Sequence, residues 1–179
     1  MTVFTHRLAR TDDIPAIAAL MARAIAQLQA AFLSPEQVAA SAESMGLDTQ
    51  LIDDGTYFAI LDGDVLVGCG GWSRRATLYG GNHTADLRDD RLLDPAHEAA
   101  RIRAMYTDPL HVRRGIGRLI LELCEDTARK AGFTRLELMA TAAGEPLYTA
   151  CGFRVIERVE RRSANGVAVP GAVMGKALN

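Results

Sequence analysis

The sequence predicts an α+β fold, a mostly antiparallel sheet crossed by helices. Three observations predict it. Two strand-like pairs flank short turns, Asp62-Gly63 and Asn165-Gly166, which are hairpin signals. Residues 116–131 carry a long apolar face at helical spacing. Strand and helix patterns follow one another with no internal repeat and no linker between them, so residues 1–179 are expected to form one domain.

Arg7-Leu8-Ala9 reads as a short first strand. Thr11-Asp12-Asp13 then supplies a capping residue and negative charge, with Pro15 in the first turn. Ile14, Ile17, Ala18, Met21, Ile25 and Leu28 recur at helical spacing behind them. Ser34-Pro35-Glu36-Gln37 starts a second helix: Ser34 caps, Pro35 suits the first helical position, and Gln37 completes a capping box. Tyr57–Leu61 and Val65–Gly70 are the first hairpin. Residues 74–97 crowd arginine, aspartate, glycine and proline, and read as a long surface loop. Strand character returns from Ala100 to Asp108 and stops at Pro109. The long helix follows, closed by Gly132. On its polar face Glu125 with Arg129 and Asp126 with Lys130 stand at i,i+4 spacing. Thr134–Ala140 alternates as a strand, Gly144–Cys151 is a short helix closed by Gly152, and Phe153–Arg161 with Val169–Leu178 make the second hairpin.

Composition excludes several classes of protein. The 179 residues carry a net charge of -2, with 49% hydrophobic and 23% charged residues, so no basic nucleic-acid surface is expected. No apolar run reaches membrane-spanning length. The N-terminal stretch Met1–Arg7 lacks the order of a signal peptide. Cys69, Cys124 and Cys151 fit neither a zinc spacing nor a disulfide framework, which favours a reduced, cytoplasmic setting. His83, His97, Asp89, Asp90 and Asp94 have no ligand spacing either, so no metal is expected.

The chemistry begins at the start of the long helix. A helix start leaves about four N–H groups without internal partners and carries positive partial charge. Gly115 and Gly117 remove side chains there, while Arg113, Arg114 and Arg118 add charge. The combination suits a phosphate or pyrophosphate. A dinucleotide fingerprint is ruled out because Ile120 occupies the place of its third glycine, and no Gly-Lys-Ser/Thr is present for a P-loop.

On these residues the chain resembles the GNAT superfamily of N-acetyltransferases. "MYTDPLHVRRGIGRLIL" is similar to the family's strand, pyrophosphate loop and helix, "GFTRLELMAT" to its next strand, and "PLYTACGFRVIE" to its short helix and following strand. The resemblance implies a central, mostly antiparallel mixed β-sheet flanked by helices on both faces, and acetyl-CoA as co-substrate. It implies that Met105 and Thr107 lend backbone groups to the pantetheine and thioester. It implies further that Val112, Arg113, Arg114, Gly115, Ile116, Gly117 and Arg118 hold the pyrophosphate. Val112 departs from the family's Gln or Arg at the first signature position.

Transfer of an acetyl group from a thioester to an amine needs a neutral amine, a donor for the charge building on the carbonyl oxygen, and a proton for the leaving thiolate. Tyr148 occupies the family's tyrosine position and is the expected acid. A backbone N–H near Thr107 is the expected oxyanion donor by the same resemblance. No base carries over; Glu98, just before the strand, is the candidate. Cys151 is expected to be a small buried thiol rather than a nucleophile. Trp72 and Tyr79 are candidates to line an acceptor pocket, against ordinary packing roles. The expected activity is acetyl transfer to a primary amine of a small molecule or peptide, with neither nucleic acid nor membrane as partner and with room for a homodimer. The other reading is a non-catalytic acyl-CoA-binding sensor, favoured by the lack of an evident base.

Overall fold

The computed structural model describes residues 3–179; Met1 and Thr2, part of the stretch read for a signal peptide, lie outside the described residues. In chain order the elements are β1 (Thr5–Leu8), α1 (Ile14–Leu28), α2 (Pro35–Ser41), α3 (Gln50–Asp53), β2 (Tyr57–Asp62) and β3 (Val65–Ser73). There follow β4 (Ala100–Thr107), α4 (Ile116–Lys130), β5 (Arg135–Thr141), α5 (Glu145–Ala150), β6 (Arg154–Arg162) and β7 (Ala168–Ala177). The strands form one 7-stranded sheet in the order β1-β2-β3-β4-β5-β7-β6, antiparallel at every junction except β4–β5.

Local chemistry explains the element ends. Asp13 accepts the Arg10 N–H at 2.7 Å and a bidentate pair from Arg7, ending a 3-10 turn that leads into α1. At α2 the expected capping box forms: Gln37 N–H donates to Ser34 Oγ at 3.2 Å, and Ser34 N–H to Gln37 Oε1 at 3.0 Å. Gly132, at φ +94°, follows α4; its N–H bonds Arg129 O while Phe133 N–H bonds Ala128 O, the paired closure of a Schellman motif.

At β2 the sheet is buried on both faces, so this strand reads as a continuous apolar run rather than an alternating one. Tyr57 and Ala59 pack with Ile17, Leu20, Met21 and Ala24 of α1. Phe58 and Ile60 face the other way, toward Ile116, Ile120, Leu121, Cys124 and Ala128 of α4. Helix α4 lies unusually close to β3. A Cβ on Gly68 would stand 2.4 Å from Ile116 Cγ2, and one on Gly70 would stand 2.7 Å from Ile120 Cγ2. The i,i+4 pairs expected on α4 give way to other partners. Glu125 takes Lys176 of β7 at 2.6 Å, and Asp126 takes Arg129 at 3.1 Å.

Residues 74–97 are more ordered than a bare loop. Arg75 bridges Leu92, Ala76 N–H bonds Arg91 O, Leu93 N–H bonds Arg74 O, and Ala85–Leu87 form a 3-10 turn. The segment is anchored by Asp48, whose buried carboxylate meets Arg103 of β4 at 2.8 Å and Arg88 at 3.1 Å. Arg103 also donates to Thr77 O and Gly80 O.

The sheet is split at its one parallel junction. β4 and β5 pair only at Ala100↔Leu136 and Arg101↔Glu137, where an Arg101–Glu137 ion pair sits. Beyond it β4 bulges: Arg103 faces Gly71 and Tyr106 faces Cys69, with Ala104 at φ +48°. The Tyr57 hydroxyl crosses under the sheet to donate to Ala104 O at 2.6 Å, satisfying the carbonyl that the bulge frees.

Candidate active site

The gap beyond the split opens into a cleft of about 1070 Å³, bounded by the C-terminal half of β4, the turn before α4, the end of β5, α5 and the β6–β7 tip. Of the residues expected to hold a coenzyme, Met105, Thr107, Val112, Arg113, Gly115, Ile116, Gly117 and Arg118 line it. Arg114 does not. Its guanidinium turns outward to Asp62 at 3.3 Å and stacks over Phe4 at 4.8 Å, so its side chain is corrected from the binding set.

The turn before α4 is shaped to present its main chain. Arg113 and Gly115 are both left-handed, at φ +62° and +87°. Within the described residues, none of the N–H groups from Val112 to Arg118 has an intramolecular acceptor. They stand at the positive end of a 15-residue helix, with Arg113 and Arg118 beside them. At the strand end, Asp108 N–H bonds Val67 O; the alternation of an antiparallel ladder then turns the Thr107 N–H away from β3 and toward the gap.

Tyr148, on α5, reaches the same gap. Its ring packs edge-on against Phe153, with centroids 5.9 Å apart, and its hydroxyl has only Met105 Sδ nearby, at 3.9 Å. No backbone acceptor ties the phenol down. Burial raises its pKa above the ordinary tyrosine value, so it stays protonated across the neutral range.

Glu98 is not brought to the cleft. Two hydrogen bonds from Arg91, at 2.9 and 2.8 Å, and one from the Asp94 N–H hold its carboxylate at the far end of β4. The Arg91 contact above all pulls its pKa down to about 2, the wrong direction for a base. Trp72 belongs to the core, edge-on to Phe133, whereas Tyr79 lines the cleft under the Arg161 guanidinium. Cys151 is partly exposed rather than buried. Among the described residues no cluster of His, Cys, Asp or Glu could hold a metal, and no helix is long and apolar enough to cross a membrane.

Sequence reading missed several polar residues of the lining, Gln29, Glu160 and Arg161 among them. Glu160 is the one carboxylate among the described lining residues, and Arg162 holds it at 2.9 Å. The run of charges on β6 gave no sign that Glu160 or Arg161 lines a cavity.

A split mixed sheet brings main-chain donors and an unengaged phenol together at the split. The chain belongs to the acetyltransferase (GNAT) family, whose model matches residues 22–153. It is 27% identical over 122 residues to the uncharacterized N-acetyltransferase YsnE of Bacillus subtilis, covering 65% of this chain and 68% of that one. Among solved structures it is similar to a GCN5-related N-acetyltransferase from Rhodopseudomonas palustris (TM-score 0.70, 21% identity, 97% of this chain and 95% of that chain). It is also similar to YncA, a putative acetyltransferase from Salmonella typhimurium determined with its cofactor acetyl-CoA (TM-score 0.65, 19% identity, 99% and 95% coverage).

Proposed function

We propose that the chain transfers the acetyl group of acetyl-CoA to a primary amine, by direct attack in a ternary complex. One observation carries this reading: the unpaired amides before α4 and the unengaged Tyr148 hydroxyl open into the same cleft. The residues present fit the coenzyme. Main-chain donors from Val112 to Arg118, backed by Arg113 and Arg118, suit a diphosphate, and the gap beside β4 leads from there to Tyr148. Similarity to a protein determined with acetyl-CoA supports the same assignment. When bound, the coenzyme supplies an activated acetyl group on a thioester.

The protein's part is then to position and to move protons. The Thr107 N–H is directed at the gap where charge builds on the carbonyl oxygen. As the C–N bond forms and the C–S bond breaks, Tyr148 gives its proton to the departing sulfur, and the nitrogen loses its extra proton to solvent. An ordinary alkylamine, with a pKa of about 10.4, enters mostly as ammonium. The lining is mostly apolar and carries several arginines, and its one carboxylate among the described residues, Glu160, is solvent-exposed beside Arg162, so the lining disfavours the ammonium form. Charge in the cleft thus does part of the work of a base.

Release of free thiol from acetyl-CoA, measured with a panel of primary amines, tests the reading. Amine-dependent release that drops in Tyr148→Phe supports it. The same missing base favours the sensor reading, and saturable coenzyme binding with no release from any amine would establish that one instead.

A further inference from the structure

The side of the cleft away from α4 carries an arginine, Arg161, that has no ion-pair partner among the described residues. Arg161 projects from β6, lines the cleft and stacks its guanidinium on Tyr79, 5.7 Å from the ring centroid. Its Nη1 is closed to solvent and has no hydrogen-bond partner. The other cations of the lining are accounted for. Arg103 is held by Asp48 and Arg162 by Glu160, while Arg113 and Arg118 flank the main-chain donors before α4. Arg161 stands on the opposite wing of the split sheet, on the strand beyond β7.

A guanidinium nitrogen shut off from water and left unpaired is costly, and the partner that a guanidinium favours is an anion. A second polar group of the lining, Gln29 at the end of α1, is also unsatisfied. Gln29, 3% exposed, spends its Nε2 on Ser41 Oγ and Met45 Sδ. The Ser41 hydroxyl proton goes to Val38 O, which fixes the amide orientation and leaves Gln29 Oε1 without a donor. The lining therefore wants a negative group at Arg161 and, separately, an N–H donor at Gln29. Tyr79 is held in place beneath the guanidinium because Arg103 bonds Thr77 O and Gly80 O on either side of it.

We infer that the acceptor is a primary amine bearing an acidic group, of the amino-acid type, whose anion pairs with Arg161. The inference rests on the acetyl-transfer reading above and narrows it to a substrate class. Arg161 then acts as a specificity residue: it selects by charge, and Tyr79 keeps its fork flat.

The test compares matched acceptors under saturating acetyl-CoA: free amino acids, their amides, the corresponding decarboxylated amines, and aminoalkylphosphonates. Thiol release is measured with the native protein and with Arg161→Gln and Arg161→Lys, and acetyl-CoA binding by calorimetry is measured alongside. The expected result is that acidic acceptors exceed their neutral counterparts in kcat/KM, the carboxylate and phosphonate arms showing which anion fits better. Arg161→Gln is expected to raise the KM for the acids roughly 10- to 100-fold with little change in kcat, and Arg161→Lys to recover part of the loss. Acetyl-CoA binding is expected to be unchanged in both variants, which also shows that they fold. Loss of coenzyme binding by the native protein would overturn the acetyl-transfer reading and this inference with it. With the coenzyme bound, equal or better use of neutral amines, no release from any acidic acceptor, or an acid preference that survives Arg161→Gln would each overturn the inference alone.

Discussion

A phenol without a strong hydrogen-bond acceptor is unusual in a partly buried setting, and Tyr148 is such a phenol. Tyr148→Phe removes one oxygen from a site where the ring packing with Phe153 stays intact. We expect kcat to fall roughly 100-fold while the dissociation constant for acetyl-CoA, from calorimetry, barely moves. Burial holds the tyrosine pKa above 10, so the acid is not lost as pH rises through the range where the amine becomes neutral. The pH profile of kcat/KM should therefore climb from neutral toward about pH 10 with no descending limb below it; a fall beginning near pH 8 would contradict this role. Glu98→Gln, by contrast, is expected to leave kcat/KM within about 2-fold, since the carboxylate serves Arg91. Tyr148 was singled out through the family resemblance, whose Tyr-x-x-x-Gly-Phe spacing is local, and the cleft does include it. Glu98 was misread because its partner, Arg91, comes from a segment whose folding back on itself no periodicity encodes. Arg161 was illegible for another reason: amid the run of charges on β6, nothing distinguishes a residue facing a cavity from one facing water.

Helix α4 and the turn before it form the element on which the proposed coenzyme site rests. Its two glycines do different work there. A Cβ on Gly115 meets nothing within 4 Å, so Gly115→Ala is penalised only through the left-handed backbone, by about 1–2 kcal/mol of stability. A Cβ on Gly117 would stand 2.6 Å from Leu147 Cδ2 on α5. Gly117→Val is therefore expected to weaken acetyl-CoA binding at least 10-fold in calorimetry and to lower kcat as well, because the side chain it displaces precedes Tyr148. The helix itself, its closing glycine and its buried face were plain from sequence, since they follow a 3.6-residue period. The exchange of Arg129 for Lys176 as the partner of Glu125 was not, because it depends on β7 passing beside the helix.

Across the molecule, the buried Asp48–Arg103 pair ties the α2–α3 connection, β4 and residues 74–97 together. Both side chains are nearly inaccessible, at 2% and 3%. Removing one partner strands the other, so Asp48→Ala should cost about 3–5 kcal/mol in denaturant unfolding. Carboxylates elsewhere set the acid limit of the fold. Asp13 and Asp54 have depressed pKa values, through hydrogen bonds from Arg7 and Arg75 respectively. Their stabilisation is complete above the unfolded value of about 3.9 and is lost as pH falls through the lower folded values. Stability should thus be level from pH 6 to 8 and decline below about pH 4. The mixed sheet and its helices were foreseeable because strand and helix periods are local. The split was not, since nothing in the β4 or β5 sequence says that their pairing stops after Arg101 and Glu137.

That abbreviated junction leaves the two halves of the sheet joined by hardly any rungs, as an arch is before its keystone is set. A molecule wedged there would brace both halves at once, and added acetyl-CoA should raise the melting temperature with a gain of about 2.7 kcal/mol at a hundredfold excess over Kd. Amide hydrogens along the open margin of β4 should then exchange more slowly than those of β1, which the wedge never touches.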